Sequence, residues 1–83
     1  MFNYNEQVII KEIEAKAHIY KNWTIGITND PESRKQGHAN PLNWYQWKAP
    51  SEAAAKRIEK YFLDKGMKGE TNIGDYPTYI YIY

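Results

Sequence analysis

The sequence predicts an α+β domain, a small antiparallel sheet of about three strands packed with three helices. Three observations point there. Residues 5–17 and 51–65 place apolar side chains at helical spacing behind good capping residues. Residues 23–28 and 78–83 alternate with the two-residue period of a strand. The chain has 83 residues, enough for one core, so the whole of 1–83 reads as a single domain.

Each element has its own signal. Asn3 and Asn5 are both suited to cap a first helix, and Glu6 lies three residues after Asn3. Val8, Ile9, Ile10, Ile13 and Ala17 then recur on one side, with Lys11, Glu12, Glu14 and Lys16 between them. Asn22 breaks that pattern. In the strand that follows, Trp23, Ile25 and Ile27 share one face, while Thr24, Gly26 and Thr28 share the other. Gly26 leaves its face bare, so another backbone, side chain or ligand can come close. Asp30 and Pro31 start a short helix that Gly37 should stop. Trp44, Tyr45 and Trp47 suggest a second strand over 43–48. Ser51 caps the long helix, Ala53 to Ala55 favour it, and Gly66 ends it in a left-handed position. Its apolar face holds Ala54, Ala55, Ile58, Tyr61 and Phe62. Residues 67–75 read as loop. In the last strand Ile80 and Ile82 lie opposite Tyr79, Tyr81 and Tyr83, and this strand should fill a sheet position beside residues 24–28.

Composition narrows the function classes. With no cysteine, disulfides, zinc-thiolate sites and thiol catalysis are excluded. The longest apolar run, Val8 to Ile10, is far too short to span a membrane, and a cytoplasmic location is expected. Net charge is +1, so no strong field draws in nucleic acid or anionic lipid. Locally, residues 51–69 carry five basic and three acidic side chains, making the long helix either an anion-facing surface or a solvated lysine face. Aromatic residues make up 16 %, eight of them tyrosine, a composition suited to partly wet binding surfaces.

The run Thr24, Ile25, Gly26, Ile27, Thr28, Asn29, Asp30, then Arg34 and His38, resembles the second motif of the GIY-YIG endonucleases. Trp47 to Ser51, followed by Ala55, Arg57 and Glu59, is similar to the third strand and main helix of the small single-domain branch. The resemblance covers about residues 23–63 and implies a GIY-YIG-like fold and metal-dependent phosphodiester cleavage. It implies Glu59 as the ligand of a magnesium ion (Mg2+) bound weakly without substrate, Arg34 as the phosphate-binding cation, and His38 as base or phosphate donor. Two departures compromise that activity. The motif tyrosine is replaced by Thr24, leaving Tyr20 or a tyrosine of 79–83 to substitute. The usual upstream strand has only His18, Ile19 and Tyr20 as candidates, three residues from Trp23. The partner implied is nucleic acid. The alternative is a catalytically inactive protein-binding or inhibitory module, such as a phage-type accessory protein, on the same scaffold. On that reading Glu59 is a solvated or salt-bridged boundary residue, His38 a loop residue, and the tyrosine stripe a packing face under the first helix.

Overall fold

The computed structural model describes residues 5–70 and 77–83. It is a small α+β domain with three helices and a four-stranded mixed sheet, one strand more than expected. Helix α1 (Glu6–Lys16) is capped by Asn5, whose side chain accepts from the Val8 N–H; Asn3 lies outside the described residues. Strand β1 (Thr24–Thr28) leads into α2 (Pro31–Gly37), β2 (Tyr45–Lys48), α3 (Glu52–Asp64), β3 (Lys68–Gly69) and β4 (Tyr79–Ile82).

The strand order is β2-β4-β1-β3. The chain leaves β1, passes through α2, and lays down β2 one strand's width away. The last strand then enters the gap and runs antiparallel to both neighbours, with Gly26 and Gln46 facing Tyr81 from either side. Backbone bonds continue at both ends: Thr24 and Tyr83 exchange N–H···O contacts at 2.8 and 3.0 Å, and the Ala49 N–H reaches the Thr78 carbonyl at 2.7 Å. The C-terminal segment therefore supplies the strand that residues 18–20 do not. Tyr20 instead opens a single 3₁₀ turn, Tyr20–Asn22, because three residues are too few for a hairpin back along β1. A second correction concerns residues 67–75. Lys68 and Gly69 are a short parallel strand beside Thr24 and Ile25; residues 71–75 lie outside the described part.

Register places Ile25, Ile27, Ile80, Ile82 and Trp47 on one face. Helices α1 and α3 cover it with Ile9, Ile13 and Ala17, and with Ala54, Ala55, Ile58 and Phe62. All are buried, and this is the core. Polar contacts fix the layers together. Arg57 forks onto the Glu6 carboxylate, Tyr61 donates to Glu14 at 3.1 Å, and the Trp47 indole N–H donates to Glu12 at 2.8 Å. So the first helix packs on the isoleucine face, and the tyrosine face is left to the connection after α2. That connection departs from expectation too. Gly37 is the last helical residue, and the left-handed backbone falls on Ala39 (φ 63°) and Asn40 (φ 49°). Their N–H groups return to the Gln36 and Lys35 carbonyls, which closes the helix end without glycine. Gly66 does end α3 at φ 113°, as expected. No helix among the described residues is long and apolar enough to cross a membrane.

Because β4 is flanked on both sides, deleting residues 78–83 should abolish cooperative unfolding. A truncated chain that still melts with a sharp transition in calorimetry would contradict this topology.

Candidate functional site

The sheet face opposite the core carries Gly26, Tyr81 and Tyr83, and the side chains above it come from four separate parts of the chain. Thr28 ends β1 by accepting the Asp30 N–H on its hydroxyl at 3.0 Å. Asp30 in turn caps α2, accepting from the Ser33 N–H at 3.2 Å. Those two contacts aim α2 back over the sheet. Arg34 and His38 are four residues apart, hence on one side of that turn, and His38 is the residue that ends it. Beyond α3, the parallel pairing of Lys68 with Thr24 and Gly69 with Ile25 puts the next residue, Glu70, alongside Gly26.

Glu70 is the hub. Its carboxylate accepts the Tyr81 hydroxyl in a short hydrogen bond and the Tyr83 hydroxyl at 3.3 Å. His38 Nε2 lies 3.0 Å from Oε2 and 3.2 Å from Oε1 of the same carboxylate, with the two side chains 25 % and 17 % exposed. A neutral imidazole donating from Nε2 is an acceptor at Nδ1. The Tyr83 hydroxyl donates to Glu70 and lies beside the imidazole, 3.2 Å from Nδ1 and 3.5 Å from Nε2.

The electrostatics follow from burial. Burial holds the Tyr81 phenol well above its ordinary range, helped by its hydrogen bond to Glu70 and by the carboxylate's charge; the Arg34 guanidinium opposes the shift. Tyr83 is raised for the same reasons, burial first, again with Arg34 opposing. Both are therefore neutral O–H donors near pH 7. Glu59, on α3, is also raised, first by burial and then by the negative charge of Glu70. Arg34 and Glu59 thus act electrostatically on the same Glu70–tyrosine cluster, Arg34 on its phenols and Glu59 against its carboxylate.

Of the four residues singled out from sequence, His38 is hydrogen-bonded into this cluster, Arg34 and Glu59 are coupled to it by charge, and Tyr20 is neither. Its ring packs edge-on to Phe62, centroids 5.7 Å apart, against the core on the other side of the sheet. Glu70, Tyr81 and Tyr83 form the cluster instead. The basic surface of α3 is not free for an anion: Lys56, Arg57 and Lys60 pair with Glu52, Glu6 and Asp64. Among the described residues no group of three or more His, Cys, Asp or Glu is placed to hold a metal. One or two carboxylates suit magnesium, which keeps most of its waters.

Searches of protein-family models, of curated proteins and of solved structures found no match to this chain.

Two outcomes follow from the geometry. A Cβ at position 26 would collide with the Tyr81 ring, so Gly26→Ala should cost about 1–3 kcal/mol in urea unfolding. Adding Tyr81→Leu to that variant should recover part of the loss; strictly additive costs would show that the two do not touch. Glu59→Gln should raise the melting temperature at pH 7. A carboxyl whose folded pKa is raised loses stability as pH rises between its unfolded and folded values. Below about pH 4, where glutamate is protonated in both states, the gain should disappear.

Proposed function

We propose that this domain acts on nucleic acid as a GIY-YIG-like module, with slow, metal-dependent phosphodiester cleavage. One observation carries the reading. Tyr81 and Tyr83 come from the strand beside Gly26, and together with His38, Arg34, Glu59 and Glu70 they supply the parts a phosphate site needs. The tyrosine missing at Thr24 is replaced from the end of the chain, which supports the motif resemblance over residues 23–63.

The roles follow from the chemistry of each group. Arg34 offers a planar fork to the phosphate oxygens and offsets charge that develops on them. His38 is the base that takes a proton from the attacking water, and the Tyr83 hydroxyl beside the ring, which donates to Glu70, helps to position that water. Glu70 holds the imidazole by Nε2 and stabilises the cation that forms. Water bonds to phosphorus, the far P–O bond breaks, and the leaving oxygen is protonated from solvent. Glu59, with Glu70 behind it, would hold the magnesium ion, whose chemistry when bound is to polarise the phosphate. Turnover is slow on this reading, because the phenols sit in a network that already satisfies them.

A second reading has its own support. Leu42 is fully exposed at 101 %, Ile19 is exposed at 55 %, and Tyr45 is exposed on β2, an edge strand. These features suit a protein-binding or inhibitory module on the same scaffold.

The deciding experiment is cleavage of single- and double-stranded DNA and of RNA with magnesium or manganese. Wild type should cut slowly, and Glu59→Ala and Arg34→Ala should each lose roughly a hundred-fold or more in rate. Tyr83→Phe should fall as well. A wild type with neither cleavage nor salt-sensitive binding would end the nucleic-acid reading and leave the protein-binding one.

A further inference from the structure

Trp44 plays no part in the cleavage steps, yet its ring is held close to the residues that do. The indole lies flat on Tyr81, centroids 4.5 Å apart and planes 10° apart. It also overlaps Tyr83 at 5.5 Å and 19°, and its centroid is 6.3 Å from that of His38. The apolar core does not account for this stack, since it lies on the opposite face of the sheet and Trp44 stays partly exposed. The indole N–H is already committed to Gln46 Oε1 at 2.8 Å, so what the ring has to offer a ligand is its π surface.

We propose that Trp44, backed by Tyr81 and Tyr83, is the stacking platform for one unpaired nucleobase of the strand whose phosphate meets Arg34 and His38. This rests on the nucleic-acid reading above and names its substrate class, single-stranded or frayed nucleic acid. A base in a duplex is already stacked on both faces and has no surface for Trp44. A chain of net charge +1 also lacks the long-range attraction by which basic proteins hold duplex backbones, so local stacking has to supply much of its affinity. Base–aromatic stacking is tolerant of base identity, so the site discriminates by strandedness rather than by sequence.

The test is binding without added metal. The probes are a short oligothymidylate, the same strand with one central abasic site, and a duplex of equal length. The proteins are wild type, Trp44→Leu, Trp44→Phe and Arg34→Ala, each checked for a thermal transition. Wild type should prefer the single strand. Trp44→Leu should weaken that binding roughly ten-fold and leave its salt slope unchanged, while Trp44→Phe should keep most of the affinity. Arg34→Ala should reduce the salt slope by about one. The abasic strand should bind wild type and Trp44→Leu alike. Tryptophan fluorescence adds a readout that survives if Trp44→Leu fails to fold. Quenching by the oligothymidylate should be present in wild type and absent in Trp44→Phe, which keeps Trp23 and Trp47. Equal quenching in the two, or wild-type affinity in Trp44→Leu alongside a loss in Arg34→Ala, overturns the platform and leaves the nucleic-acid reading standing. A wild type that binds none of the probes overturns both.

Discussion

The pairing of Gly26 with Tyr81 is the contact on which both sides of the sheet depend. On the core side, it fixes the register that brings Ile25 opposite Ile82 and Ile27 opposite Ile80. A slip of one residue would send the isoleucines to the wet face and the tyrosines into the core. On the other side, the missing Cβ lets the Tyr81 ring lie down across β1, which carries its hydroxyl over to Glu70 on the far side of that strand. Without that close approach, Glu70 would keep only the longer contact from Tyr83, and Trp44 would lose the ring it lies flattest on. One glycine in a five-residue strand thus aligns the core and assembles the aromatic stack.

Much of this was legible in the residues, because most elements announce themselves locally. Asn5, Asp30, Ser51 and Gly66 each act at the helix end where their chemistry belongs. The last strand could be assigned to the sheet because its alternation is strict and nothing nearer could pair with β1. What stayed hidden was non-local. Lys68 and Gly69 have no strand pattern of their own; they pair because α3 ends where its cap returns the chain beside Thr24. Glu70 therefore read as a loop residue, although it organises the cluster. Tyr20 misled for the opposite reason. It stands next to a strand in sequence, but a 3₁₀ turn directs it towards Phe62. The signal that would have located the site was the bare face at Gly26 combined with a tyrosine stripe on the only strand free to lie beside it.

The charge arrangement separates structural cations from the ones near the cluster. On α3, each of Lys56, Arg57 and Lys60 is matched to a carboxylate of this chain, in exposed pairs worth little to stability. Their effect is to cancel a basic surface. At the cluster the cost falls on a carboxylate. Glu59 sits part-buried in the field of Glu70, which costs stability and raises its pKa. A chain under selection for stability alone gains by neutralising that position, and strain of this kind is what functional sites retain.

That imbalance has a consequence for ligand binding. Among the described residues, the charges of Glu59, Glu70 and Arg34 all act at this cluster of neutral phenols, with His38 hydrogen-bonded to Glu70. A phosphodiester brings another negative charge into a partly buried setting, where like charges repel more strongly than in water. Arg34 alone cannot offset all three. On the proposed reading, a divalent cation at Glu59 would meet the remaining charge and leave the His38 imidazole as the base. Stacking on Trp44 is favourable whatever the charge state, and it would keep the strand in place while that cation is acquired.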